Sequence, residues 1–92
     1  MTFSFDLSEG LKTTIRALAK KDKVRVIILN KKIKEIAACD EVAIDHYKNL
    51  RHELNEYKRA HIDKSFVLIF KVFKKENHIL FERLDHHDKI YK

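Results

Sequence analysis

The sequence has no proline, a single glycine and a single cysteine among its 92 residues. Because proline and glycine mark turns and irregular connections, their scarcity predicts regular elements joined by short loops. The lone Cys39 excludes an internal disulfide, as in proteins of a reducing compartment. The first ten residues lack the apolar core of a signal peptide, and no apolar run approaches the roughly 20 residues of a membrane span. We therefore expect a soluble, cytoplasmic protein with no membrane partner.

Composition points to one basic globular domain. Hydrophobic residues make up 45% of the chain, which is the ordinary share for a folded protein. The 20 Lys and Arg residues exceed the 14 Asp and Glu residues, so the formal net charge is +6. A chain of this length supports a single core, and we expect residues 1–92 to form one domain. Its positive charge favours a polyanionic partner such as nucleic acid.

The first half of the chain predicts a strand followed by two helices. FSFDL at 3–7 alternates in the manner of a short strand, and Ser8 can cap the helix that follows it. VRVIIL at 24–29 is rich in β-branched residues and by itself would suggest a strand. Its continuation, however, carries apolar residues at helical spacing. The two helical stripes are Leu11, Ile15 and Leu18, and then Val26, Leu29, Ile33 and Ile36.

The second half changes to a period of two. From 57 to 64 the odd-numbered residues point to one face of an extended segment and the even-numbered residues to the other. FVLIFKVF at 66–73 is apolar on both faces, which indicates a central strand. KKEN then supplies a turn, and HILFERL at 78–84 returns as a hairpin partner. The order β-α-α-β-β-β predicts an α+β fold, with two N-terminal helices on one face of a small, mainly antiparallel sheet.

The block YKRAHIDKSFVLIFKVFKKENHILFERLDHHDKIY, residues 57–91, resembles the RelE/ParE superfamily of toxins from toxin–antitoxin pairs. It is most similar to the RelE and YafQ types, which are ribosome-dependent mRNA endonucleases. Family members share a basic extended segment led by an aromatic residue, an apolar strand and a return strand. They end in a histidine or arginine four residues before a final aromatic residue. Here those parts are Tyr57, then FVLIF, then ILFERL, and then His87 with Tyr91.

The sequence departs from the family pattern at three positions. Ser65 stands where the YafQ branch carries an acidic catalytic residue, and Val67 stands where many RelE relatives have an arginine. A further family histidine falls near Lys48. These departures keep two alternatives open, namely a ParE-like toxin that acts on DNA gyrase and a catalytically inactive binding relative. The HHDKIY ending favours the nuclease, since a gyrase inhibitor needs no acid–base residues.

The resemblance implies an mRNA endonuclease that cleaves by attack of a ribose 2′-hydroxyl on the adjacent phosphate. Such a reaction needs a base, an acid and a cation beside the phosphorane, and histidine and arginine suit these roles. The predicted catalytic residues are His87 as acid, His61 as base with Asp63 as its helper, Arg83 as the phosphorane clamp, and Tyr91 to stack on a base or donate its hydroxyl. The predicted RNA-binding residues are Lys48, Lys58, Arg59, Lys64 and Lys89.

The predicted enzyme is independent of metal and needs no cofactor, because its histidines and arginines meet the chemical requirement by themselves. The resemblance also implies three partners: a cognate RelB-type antitoxin, the ribosome and mRNA. Adjacent His86, His87 and Asp88 are a weak candidate for metal binding, because neighbouring residues on an extended chain point apart.

Overall fold

The order of elements agrees with the predicted β-α-α-β-β-β arrangement. The structure is a computed structural model that describes residues 2–87. Its helices and strands are β1 (Ser4–Leu7), α1 (Glu9–Lys21), α2 (Lys23–Ala37), β2 (Lys58–Ile62), β3 (Phe66–Phe73) and β4 (His78–His86). Short 3₁₀ turns occupy Ala43–His46, His52–Leu54 and Lys74–Glu76. The predicted α+β fold is therefore confirmed.

The two helices are separated by one residue, Asp22, which serves both of them. Its backbone N–H donates to the carbonyl of Leu18 at the end of α1, at 2.7 Å, and its carboxylate accepts from the backbone N–H of Arg25 in α2, at 3.0 Å. Ser8 caps the start of α1 by accepting from the backbone N–H of Leu11 at 3.0 Å, as its position predicted. Within residues 2–87, no helix is long and apolar enough to cross a membrane.

The β-branched segment at the start of α2 is helical because its apolar partners recur on one side of the helix. Leu29, Ile33 and Ile36 are all buried, whereas Val24 and Ile27 face outward and are each 67% exposed. Only a helix can bury all three of these side chains on one side, since a strand would divide them between two faces. The helical interpretation of this segment is therefore confirmed.

The sheet has four strands in the order β1-β4-β3-β2, so β3 and β4 are central. Strand β3 is antiparallel to both of its neighbours, and the β3–β4 hairpin turns at Asn77, whose φ of 50° lies in the left-handed region. Strand β1 pairs with β4 in parallel, with Phe5 opposite Ile79. The sheet is therefore mainly antiparallel, and β1 and β2 form its edges.

The two faces of the sheet differ because side chains alternate along each strand. We call the side covered by α1 and α2 the helix face; α1 packs on β4 and α2 on β2. The large core on this side contains Phe3, Leu11, Leu29, Ile33, Ile36, Ile44, Ala60, Ile62, Leu68, Phe70, Ile79, Phe81 and Leu84. We call the opposite side the histidine face; it carries Arg59, His61, Val67, Ile69, Arg83 and Asp85, as the strand register shows. A small cluster of Leu50, Val67 and Ile69, with Tyr57 against it, lies on this second side.

Candidate active site

Two of the predicted catalytic residues, His61 and His87, meet at one end of the histidine face. His61 on β2 stands opposite Val67 on β3. The backbone N–H of His87 donates to the carbonyl of Ser65 at 2.8 Å, which continues the β3–β4 alignment past the end of β4. The imidazole centroids are 5.8 Å apart and the ring planes are inclined by 36°. A catalytic hydrogen bond spans about 2.6–3.2 Å, so rings at this separation can bond two oxygens of one phosphate group.

The turn between β2 and β3 is held by Asp63 and by Arg25 of α2. Asp63 has a φ of 49°, in the left-handed region, and its carboxylate accepts from the backbone N–H of Ser65 at 2.8 Å. Nε and Nη2 of Arg25 both lie 3.0 Å from Asp63 Oδ2, and the guanidinium lies 4.7 Å from the centroid of the Phe66 ring. The contacts from Ser65 and then Arg25 hold the pKa of the Asp63 carboxyl below its ordinary value.

These contacts bear on the predicted partnership between Asp63 and His61. Both carboxylate oxygens of Asp63 are engaged, one by the Ser65 amide and the other by Arg25. The carboxylate is therefore directed to the turn and to α2, and the geometry gives no support to Asp63 as a helper of the base. Arg25 was not among the predicted site residues, because its partner lies 38 residues away and no local pattern joins them.

The predicted clamp, Arg83, lies one row of the sheet away from His61 and two rows away from His87. Arg83 on β4 stands opposite Ile69 on β3, and Ile69 stands opposite Arg59 on β2, so the two arginines flank a buried isoleucine. Nε of Arg83 lies 2.6 Å from Asp85 Oδ2, and Asp85 belongs to the same row as His61. A phosphate would therefore compete with Asp85 for this guanidinium.

Lys58 differs from the other predicted RNA-binding residues because it is buried. It is 9% exposed, and its ammonium donates to the carbonyl of Tyr47 at 3.1 Å and to Asn49 Oδ1 at 2.9 Å. Lys58 is buried because side chains alternate along β2, which places Lys58 on the helix face with Ala60 and Ile62. This burial argues against the predicted role of Lys58 in RNA binding and gives it a structural one.

The remaining predicted residues divide into two groups. Lys48 and Lys64 are exposed, and Arg59 is half-buried, with Nη1 donating to the carbonyl of Asn49 at 3.1 Å. Lys89 and Tyr91 lie outside the described residues, so their predicted roles stay predictions. No cluster of three or more His, Cys, Asp or Glu side chains that could hold a metal ion occurs within residues 2–87.

A groove of about 400 Å³ adjoins His61 at the outer edge of β2. Its lining residues come from α2, from the segment before β2 and from β2 itself: Lys32, His46, Tyr47, Lys48, Arg59, Ala60 and His61. Lys32, His46 and Tyr47 were not among the predicted site residues. Nothing in their local patterns marks them, because three separate segments bring them together.

Comparisons with known proteins agree with this architecture. The chain is 42% identical over 90 residues to the Methanocaldococcus jannaschii protein named "Putative toxin RelE4", a match that covers 98% of this chain and 92% of that protein. A metal-bound toxin from Helicobacter pylori superimposes with a TM-score of 0.75 and 21% identity, covering 97% of this chain and 99% of the other. A chain of the YoeB–YefM complex from Staphylococcus aureus superimposes with a TM-score of 0.72 and 19% identity, covering 95% of this chain and 99% of the other. No family model matches the sequence.

Proposed function

The chain belongs to the RelE family of toxins, and from this premise we propose that it acts as a ribosome-dependent mRNA endonuclease in the cytoplasm. The observation that carries the proposal is the pair of imidazoles, His61 and His87, with centroids 5.8 Å apart. Two histidines at this separation supply both proton transfers that RNA cleavage requires, and they do so without a metal ion or another cofactor.

In the proposed reaction His61 takes the proton from a ribose 2′-hydroxyl, and the resulting oxyanion attacks the adjacent phosphorus. The bond from phosphorus to the 5′-oxygen breaks, and His87 gives its proton to that oxygen. The products are a 2′,3′-cyclic phosphate and a 5′-hydroxyl, so atoms and charge balance. The roles of base and acid follow the predicted assignment, and histidine suits both because its reference pKa of about 6.5 is close to the working pH.

Cationic side chains around the histidines would stabilise the phosphorane and hold the RNA backbone. Arg59 and Arg83 lie on the histidine face, and Arg83 remains the proposed clamp once a phosphate displaces Asp85 from it. Lys48 and Lys64 are exposed and suit contacts to backbone phosphates. Lys89 and Tyr91 keep their predicted roles as a backbone contact and a stacking or proton-donating group.

The proposed protein partner is a RelB-type antitoxin. Its support comes from the YoeB chain of similar fold, which is bound to YefM in a toxin–antitoxin complex. A positive chain with a formal net charge of +6 suits an inhibitor with acidic segments. We expect high yields of the protein to require coexpression with the antitoxin, and free expression without an effect on growth would contradict the toxin proposal.

The decisive experiment adds the purified protein to ribosomes programmed with a defined mRNA and maps new 5′ ends by primer extension. We expect cleavage within the ribosomal A site by the wild type and its loss in His87→Ala. His86→Ala is the matched control, because His86 is the adjacent residue and points to the helix face. Its ring centroid lies 5.1 Å from that of Phe66. Cleavage by His86→Ala and not by His87→Ala would tie the activity to the histidine face.

Absence of cleavage by folded wild-type protein would overturn the nuclease proposal. A ParE-like activity would then be tested by adding the same preparation to a DNA gyrase supercoiling reaction. Inhibition there that persists in His87→Ala would identify the alternative, because binding to gyrase needs no acid–base pair.

A further inference from the structure

The groove beside His61 lies where the chain separates from the outer edge of β2. Residues before β2 pair with its beginning: the N–H of Leu50 donates to the carbonyl of Tyr57, and the N–H of Arg59 donates to that of Lys48. The preceding residues, His46 and Tyr47, then leave this edge, and the groove occupies the space between them, α2 and β2. It therefore begins at a proposed catalytic residue and leads from the histidine face towards the helices.

The charge of the groove suits an anion. Its seven lining residues include three permanent cations, Lys32, Lys48 and Arg59, together with two imidazoles, and none of the seven is acidic. The carboxylate nearest in sequence, Asp45, is held by Lys74 at 2.6 Å and Lys58 at 3.7 Å. Lys32 has one acidic contact, Glu35 Oε1 at 3.4 Å on the exposed surface of α2.

Size and hydrogen-bonding capacity add a second constraint. A volume of about 400 Å³ falls within the roughly 300–1,000 Å³ of sites that bind small molecules. The ring of Tyr47 packs edge-on against Phe70 with centroids 5.7 Å apart, which fixes its position. Burial is the main cause that raises the pKa of the Tyr47 phenol, so its hydroxyl keeps its proton and can donate. Fixed donors and clustered cations are the features that hold a phosphorylated ligand.

We propose that this groove is a nucleotide subsite, in which Lys32 and Lys48 hold the phosphate next to the scissile one while His46 and Tyr47 bond the sugar or base. The proposal rests on the nuclease function in that the RNA strand reaches the groove from the histidine pair. It gives the strand a path: the scissile phosphate lies at the histidine pair, with Arg83 as its clamp, and the adjacent nucleotide crosses the outer edge of β2 towards α2. Lys32 and His46 thereby become RNA contacts on the helix side of the sheet.

The test measures binding of a fluorescent 2′-O-methyl oligoribonucleotide, which has no 2′-hydroxyl to attack, across a series of salt concentrations. For single strands, each lost phosphate contact lowers the slope of log K against log salt by about 0.7. We expect this decrease for Lys32→Gln and for Lys48→Gln. Lys34→Gln is the matched control, because Lys34 is exposed on the same helix and does not line the groove; its slope should equal that of the wild type.

The outcomes separate this inference from the nuclease proposal. Equal slopes for the Lys32 and Lys34 variants, or no binding by the wild type at low salt, would overturn the subsite, even if the wild type cleaves mRNA on ribosomes. A selective decrease with the Lys32 and Lys48 variants, in a protein that cleaves nothing, would keep the subsite and refute the nuclease. Thermal unfolding of each variant checks that the fold is intact. His46→Ala against His86→Ala repeats the comparison for an imidazole contact, read as a loss of affinity for the oligonucleotide.

Discussion

The helix face and the histidine face are built from the same strands, yet they do different work. The helix face holds a continuous core that includes Phe70 and Phe81 at 0% exposure. The histidine face holds three buried aliphatic residues, surrounded by charged and imidazole side chains. Burial of apolar area is the main source of stability, so most of it must come from the helix face. The histidine face contributes less to stability and carries the candidate active site.

Two adjacent cations on β2, Lys58 and Arg59, lie on opposite faces of the sheet. Lys58 and Arg59 are both long cations, but the strand turns one to each face. Lys58 is buried and bonds two oxygens of the segment before β2, whereas Arg59 lines the groove beside His61. Residue type alone therefore does not decide which cations are available on the histidine face; position on the strand does.

Removing a core aromatic residue should give the largest effect and should damage both faces. Phe70→Ala empties a fully buried site that contacts Tyr47 and Phe81, and we expect a loss of about 3–5 kcal/mol in the free energy of unfolding. Urea unfolding measures it. Phe73→Ala, at the partly exposed end of β3, is the control and should cost less. Equal losses would contradict the assignment of stability to the helix face.

Removing an imidazole should affect activity with little change in stability. We expect His61→Ala to lower single-turnover cleavage by about 10²–10⁴-fold, since it removes the proposed base. Because His61 is exposed, its effect on the free energy of unfolding should stay within about 0.5 kcal/mol.

The pH profile distinguishes the two histidines. A base must be unprotonated and an acid protonated, so the wild-type rate should rise and then fall with pH. His61→Ala should lose the rise, and His87→Ala should lose the fall. Loss of the same limb in both variants would contradict the assigned roles.

The neighbouring cations of β2 sharpen the comparison between faces. Lys58→Met leaves the Tyr47 carbonyl and Asn49 Oδ1 without their donor, and we expect a cost of about 1–3 kcal/mol in unfolding. Arg59→Met should instead lower the salt slope of RNA binding by about 0.7. Urea unfolding and oligonucleotide binding on both variants check the pair. The reverse pattern, with RNA binding lost in Lys58→Met, would show that both cations serve the ligand.

The smallest expected effect comes from Asp63 in the turn between β2 and β3. The pKa of Asp63 is lowered in the folded protein, so its contribution to stability is present above its unfolded value of about 3.9 and is lost as the pH falls through the lowered folded value. A partly exposed ion pair of this kind contributes below about 1 kcal/mol. The difference in urea midpoint between wild type and Asp63→Asn should therefore be visible at about pH 7 and shrink as the pH falls below about 3.9. A constant difference would refute the linkage.

Much of the fold could be predicted because its signals are local. The helical spacing of Leu29, Ile33 and Ile36 overrode the β-branched character of VRVIIL. The KKEN turn and the apolar β3 segment predicted the central hairpin. The alternation along β2 also placed Lys58 on the side of Ala60 and Ile62, so the signal for its burial was present and charge was given more weight.

The rest depends on contacts between distant segments. The parallel pairing of β1 with β4 joins residues 74 positions apart, and neither strand carries a sequence pattern that identifies the other as its partner. The proximity of His61 and His87 was reached through the family resemblance, since spacing by itself leaves them 26 residues apart. Arg25 with Asp63, and Lys32 with Tyr47, came from the folded chain alone.

The central position of β4 has a consequence for synthesis. Strand β4 separates β1 from β3, so a growing chain that has not reached residues 78–86 has β1 without a neighbour and a core without Ile79, Phe81 and Leu84. His87 follows immediately. Because β4 is the last of the described helices and strands in chain order, the ribosome completes all the others before it. The His61–His87 pair can therefore form only after β4 has been made, and a nascent chain of fewer than 87 residues lacks one of its two imidazoles.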